Sequence, residues 1–315
     1  MPWGQGGNGG GGRSPAQMMT KRERRNLRIG LTFILPWLLG FMVFTLYPIG
    51  ASLYYSLCDF RVVQPPHFVG LRNYTALLHD EYFRLSLYNT FFMFLELPGA
   101  VILGIATAML LNRAVRGMPF FRTIYYLPSL VPVVASAMLW LWVLNPQHGL
   151  VNGVLTKLGM TGPGWFTATE WTKPSFIVMD LWAVGWAMVI YLAALQGVPQ
   201  QLYEAAELDG AGPWQKTVNV TLPSISPVIF FMVVTGMIGL FQYFTQSFIV
   251  LVAPNTGPEN SGLFYALYLF YNAFHYFRMG YACAMAWILF VVTLIITLIV
   301  FRTSARWVYY EAERG

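Results

Sequence analysis

Charge is what this sequence has least of. Only 10% of its 315 residues are charged and 57% are hydrophobic, where a soluble domain carries roughly 25% charge. That is too little to cover a globular surface in water, so the expectation is an integral membrane protein. A disordered chain is excluded by the same numbers, because it needs low hydrophobicity and high charge, and a coiled coil would be rich in Glu and Lys. Cysteine is nearly absent. Cys58 and Cys283 lie far apart in apolar sequence and match no disulfide, metal or redox spacing, which leaves them as small buried hydrophobes. His67, His79, His148 and His275 are scattered, with no pair at metal-ligand spacing. No Ser, His and Asp arrangement and no paired His and Glu occurs at helical spacing. The expectation is therefore no metal, no cofactor and no enzyme. Net charge is +6, but in a membrane protein the placement of positive charge matters more than its sum, so no nucleic acid partner is implied.

Long apolar runs are abundant. The glycine-rich start and the basic cluster Lys21, Arg22, Arg24, Arg25 and Arg28 read as a disordered tail over 1–28 rather than a signal peptide. An uncharged run over 29–58 follows, long enough for a bilayer core of about 30 Å. Further runs cover 87–112, 123–144, 175–195, 227–252 and 279–301. They lack the period-two alternation of barrel strands, so the fold expected is all-α with six transmembrane helices. The aromatic stretch 261–276 suits an interfacial or re-entrant segment better than a span. With six spans, 13 of the 19 Lys and Arg fall on one side, which the positive-inside bias makes cytoplasmic, with both termini inside. The opposite loops, 59–86, 145–174 and 253–278, are too small to fold as domains of their own. The residues expected to form the transmembrane domain are 29–302, with a cytoplasmic C-terminal tail over 303–315.

The loop between the fourth and fifth runs reads GVPQQLYEAAELDGAGPWQKTVNVTLPSISP. Pro199 suits a helix start, 201–208 are mostly good helix formers and Gly210 can supply a left-handed stop. A second short helix is expected from Pro213 to about Val220, before Leu222 and Pro223 break it. Leu202, Ala205, Ala206 and Asp209 share one face of the first helix. It reads either as a connector resting on the bilayer or as a surface that docks a protein. An interfacial helix normally carries Lys and Arg, whereas Glu204, Glu207 and Asp209 would be repelled by anionic lipid, which favours docking.

These residues carry a resemblance. Glu204-Ala205-Ala206, then Gly210, then Val220, Thr221, Leu222 and Pro223 resemble the EAA motif of inner-membrane permeases in binding-protein-dependent ABC importers, with Val220 where isoleucine is usual. LYPIGASLYYSL, FVGLRNY, AMLLNR, FFRTIYYLPSLVPVVASAMLWLWVLNP and FRMGYACAMAWILF are similar to the sugar-permease branch, the MetI-like relatives of maltose and glycerol-3-phosphate permeases. The resemblance runs from Leu31 to Phe301. It implies a coupling helix within 199–223, seated on a cytoplasmic ATPase dimer, a second homologous permease, an extracytoplasmic substrate-binding protein, a sugar or polyol substrate, and a place in a bacterial or archaeal cell membrane. The sequence departs from the pattern at Thr245, where relatives often carry Asp, and in the turn LVAPNTGPEN. The large extracellular insertion of the maltose permease is absent.

GAGPWQKT nearly spells a phosphate-binding loop, but Gln215 stands where glycine must precede the lysine, and no strand precedes it, so ATP hydrolysis belongs to a separate subunit. Two acids, Glu96 and Asp180, lie in apolar runs. A charge at the bilayer centre costs at least about 2.5 kcal/mol, so Glu96 is expected to face a cavity or a partner. Asp180 does the same or sits near the outer interface. Sugars need aromatic faces and planar polar groups, and Phe241, Gln242, Tyr243, Phe244, Thr245 and Gln246, with Asn272 and Tyr276, are candidates for the path. The function expected is half the translocation path of a carbohydrate importer. The alternative is an ion-gradient-driven transporter, which usually shows internal repeats around midplane charges.

Overall fold

The structure is a computed structural model that describes residues 21–113, 115–251 and 256–309. The glycine-rich 1–20 and Arg314, both expected in tails, lie outside the described residues. The chain divides into two units, 1–54 and 55–315.

The first unit is helical from Lys21–Phe41 through a wide π turn, Met42–Leu46, into Tyr47–Ser56, whose last two residues open the second unit. Residues 21–28 are thus helical rather than tail. The π turn has a cause two residues on: Pro48 cannot donate to the ladder and its ring would crowd the carbonyl four residues back, and the amide of Tyr47 bonds instead to the carbonyl of Met42, widening the turn to admit it. Phe33 and Phe44 are 82% and 81% exposed, as suits lipid rather than water.

The second unit opens with an antiparallel hairpin, Cys58–Arg61 against Gln64–Phe68, pairing Cys58 with Phe68 and Asp59 with His67. Cys58 is fully buried there, while Cys283 is only half-buried. Among the described residues, three helices are long and apolar enough to cross a membrane: Arg25–Ser56, Glu81–Leu111 and Met279–Ser304. The other runs are bent. Met118–Leu130 meets Val133–Val143 at 95°, Thr169–Leu181 meets Gly185–Gln196 at 49°, and Pro213–Ser224 meets Ser226–Phe241 at 66°, so there are up to six spans if each bent pair is one.

Each bend has a local reason. Val131 is extended at φ −72° and ψ 127° because Pro132 follows it and disfavours the helical region for the residue before. Gly185 comes so close to the Tyr125 carbonyl that any Cβ would collide with it, so the fourth run turns where a glycine lets two backbones touch. In the fifth, Leu222 and Pro223 do not end the helix as expected. A π turn, Thr217–Thr221, precedes Pro223 by the same two residues as in the first unit, and the break falls later, at Ile225. That run also stops at Phe241 instead of continuing to 252, and a new helix, Thr245–Leu251, begins. Tyr243 drops between them into the core, its ring 5.8 Å from Phe176 and 5.1 Å from Phe264.

The segment 261–276 forms a short helix, Tyr265–Phe270, and a π turn, Tyr271–His275, too short to span a bilayer. Tyr265, Leu267 and Tyr271 are buried beside Phe83 and Met285. The final helix reaches Ser304, and the chain then folds back: Val308 is buried beside Phe230 and Val234, and the Tyr309 amide donates to Ser226 Oγ at 2.8 Å. Residues 303–309 are therefore docked, not a free tail.

Candidate functional site

Two places gather the residues singled out by the sequence. The first is the loop 199–223. Its helix Gln200–Leu208 starts after Pro199 and contains no buried residue. It ends because Gly210 takes φ +77°, a conformation open to glycine. The Gly210 amide donates to the Glu207 carbonyl at 3.0 Å and the Ala211 amide to that of Ala206 at 2.9 Å, which satisfies carbonyls the helix leaves unpaired. Gly212 then starts the next turn, its amide donating to Gln215 Oε1 at 2.8 Å. The two arms are tied by Lys216 donating to Glu207 and by the Tyr203 and Thr221 hydroxyls at 3.0 Å. Glu204, Ala205, Asp209 and Gly210 are exposed, Ala206, Leu222 and Pro223 half-buried. Leu208 is 90% and Trp214 76% exposed. A rigid knob therefore presents carboxylates and two large apolar side chains together.

The second place is a cavity of about 370 Å³ between Glu96–Leu111, Gly185–Gln196 and Ser226–Phe241. The first two helices pack closely, since Gly104 lies against the Tyr191 ring, where a Cβ would come within 2.9 Å. Glu96, Asp180, Tyr243 and Gln246 all line the cavity, with Tyr191. Gln246 Nε2 donates to Asp180 Oδ1 at 3.4 Å. The Tyr243 hydroxyl faces Asp180 but falls short of hydrogen-bond geometry. Asp180 thus turns into the protein beside Glu96. Four of the residues expected on the path, Phe241, Gln242, Phe244 and Thr245, do not line this cavity. Phe241 is fully buried, packed edge-on against Phe91 and Phe94, and Gln242 is exposed. The break after Phe241 ends the helical rotation that an unbroken run would have given them. Asn272 and Tyr276 line a different cavity of about 310 Å³, with Tyr82, Tyr268, Tyr271 and Arg278.

Sequence reasoning missed the groups that hold this end together. Asp80 caps the helix Glu81–Phe92, accepting from the amides of Tyr82 at 2.9 Å and Phe83 at 3.2 Å, and its other oxygen accepts from the hydroxyls of Tyr268 and Tyr281. Burial alone would raise its pKa, but these donors outweigh it and hold the carboxyl below its ordinary value. Lys173 is 8% exposed, donates to Asn89 Oδ1 at 3.2 Å and lies over the rings of Tyr88 and Phe92. Asn89 in turn donates to the carbonyls of Asn260 and Leu263. Asp80 directly before a helix was a readable cap signal. Nothing local marked its tyrosine partners.

Over residues 100–310 the sequence matches the family described as binding-protein-dependent transport system inner membrane component. The chain belongs to this family. It is a multi-pass component of the inner membrane and a transport subunit rather than an enzyme. The matched stretch of this permease includes Asp180, Tyr243, Gln246 and all of 199–223. Similar proteins include the probable ABC transporter permease protein YesP of Bacillus subtilis (strain 168), 36% identical over 98% of this chain and 99% of that one. The diacetylchitobiose uptake system permease protein NgcF of Streptomyces coelicolor is 34% identical over 91% and 86%. The sn-glycerol-3-phosphate transport system permease protein UgpA of Yersinia enterocolitica is 31% identical over 88% and 94%. In three dimensions the permease resembles a chain of the bacterial alginate ABC transporter in complex with alginate pentasaccharide-bound periplasmic protein, with TM-score 0.79 and 26% identity over 91% of this chain and 96% of that one.

Proposed function

We propose that this permease forms half of a carbohydrate translocation path, paired with a second, homologous permease above two copies of a cytoplasmic ATPase, and that an extracytoplasmic binding protein delivers the substrate. Each bent pair counts as one span, giving six, and both termini are cytoplasmic. The relatives named for diacetylchitobiose and sn-glycerol-3-phosphate, and the neighbour named for alginate, support a carbohydrate or related polyol class. The observation that carries the reading is the knob at 199–223, an exposed acidic helix stopped by a left-handed glycine and cross-tied to the turn that follows. A free apolar residue such as Leu208, 90% exposed, suits a groove in a protein, and the carboxylates suit basic residues there. When ATP closes the ATPase dimer, the groove carries the knob with it. The cross-ties pass that displacement into Ser226–Phe241 as a rigid-body movement that exchanges inward for outward access. Glu96, Asp180, Tyr243 and Gln246 line the path. An ion-gradient mechanism is not favoured, because the family couples to a binding protein.

Uptake driven by ATP in proteoliposomes, together with co-purification of the ATPase, tests this. Glu204→Lys is expected to abolish both while the permease still folds. Unchanged uptake and association would overturn the reading.

A further inference from the structure

The cavity of Glu96 and Asp180 holds a combination that packing does not explain. Glu96 Oε2, Asp180 Oδ2 and the hydroxyls of Tyr191 and Tyr243 are all buried without a hydrogen-bond partner, although nearly all buried polar atoms in proteins have one. Tyr191 is 0% exposed and lines the cavity. Carboxyl oxygens accept hydrogen bonds and hydroxyls both donate and accept, so two of the four orphaned atoms call for donors. Among the described residues no Lys, Arg or His lines the space, and beside Tyr243 and Gln246 the rest of the wall is Leu97, Ala100, Val101, Ala187, Met232, Leu240 and two glycines. Such a wall has low polarisability, and charge acts over it more strongly than in water.

We infer that this cavity is a charge filter: it accepts saccharides that are neutral or carry an ammonium group and rejects those that carry carboxylate or phosphate. A neutral sugar offers hydroxyls that donate to Glu96 and Asp180 and pair with the hydroxyls of Tyr191 and Tyr243. An aminosugar adds an opposite charge and makes charge-assisted bonds to the pair. A uronate or a sugar phosphate brings a fixed negative group beside two carboxyls, to a wall where the described residues offer no cation to meet it. The inference rests on the reading of the chain as a carbohydrate permease and narrows it, removing phosphorylated polyols and acidic oligosaccharides from the class.

The test is equilibrium dialysis of the assembled importer in nanodiscs, without its binding protein, so that only the membrane path selects. The probes are radiolabelled N,N′-diacetylchitobiose, which is neutral, its deacetylated ammonium form, and digalacturonate. Digalacturonate is expected to bind at least about tenfold more weakly than either of the others. Glu96→Gln with Asp180→Asn is expected to bring all three within about threefold of one another, with the ammonium form losing most. Equal binding of digalacturonate to the native complex overturns the filter, as does binding of no probe at all, or a tenfold ratio that persists in the double variant. The native complex decides the matter even where the variant does not assemble. The importer reading depends on other readouts, ATPase co-purification and the effect of Glu204→Lys, so a cavity without charge preference leaves it standing.

Discussion

Replacing Gly210 separates backbone from side-chain effects in the knob at 199–223. The residue sits at φ +77°, and a Cβ built on it meets nothing within 4 Å, so a small substituent costs only what the left-handed conformation costs. For alanine that is about 1–2 kcal/mol, a five- to thirtyfold loss in the population of the stopped helix. Asparagine visits this region readily and costs less. Proline fixes φ near −65°, cannot reach +77° and removes the amide that donates to Glu207, for about 3 kcal/mol or more. The expected order of ATP-driven uptake in proteoliposomes is therefore native, Gly210→Asn, Gly210→Ala, Gly210→Pro. Thermal stability of the purified permease is expected to change little for Asn and Ala, since the residue is exposed and its neighbourhood empty. If Gly210→Ala transported like the native protein, or if Asn were worse than Ala, the conformational reasoning would be refuted and the site would act through contact instead.

Two further tests address the cavity and the opposite end of the molecule. A side chain at Gly239 points into space with nothing within 4 Å and lines the cavity, so Gly239→Ile is expected to cut uptake by at least tenfold while assembly and ATPase association persist; unaltered uptake would place the path elsewhere. Asp80 has a folded pKa below its ordinary value, so the stability it contributes is fully present above the unfolded value of about 3.9 and is lost as pH falls through the lower folded value. Melting curves from pH 6 to 3 are expected to show Asp80→Asn less stable than native at pH 6, with the difference closing below about pH 3.9. A difference that stays constant with pH would show that ionisation of Asp80 is not what holds Tyr268 and Tyr281.

The knob at 199–223 was legible because its signals are local. Pro199, the run of helix formers, Gly210 and the spacing from Glu204 to Pro223 each act within a few residues, and the helix Gln200–Leu208 follows them closely. The cavity was legible only in part. Glu96 and Asp180 stood out because charge is costly in an apolar run, but their meeting depends on two helices separated by more than eighty positions. That Phe241 and Gln242 lie off this cavity was not legible, because Ser226–Phe241 is apolar all round, so no amphipathic stripe says which way a side chain points. Past the break, Tyr243 packs inward on Phe176 and Phe264, which lie elsewhere in the chain.

Composition and local pattern thus determined by themselves that this is a helical membrane protein, roughly where its apolar runs lie, and where the helix Gln200–Leu208 begins and stops, because hydropathy, proline and glycine act over one or two turns. Tertiary structure alone decided that three of those runs are bent, that residues 303–309 dock on Ser226–Phe241, that Lys173 is buried on Asn89, and that two carboxylates face one cavity. Those outcomes depend on which surfaces meet, and in a chain with so little charge and such uniform hydrophobicity, shape and the few buried polar groups make that choice.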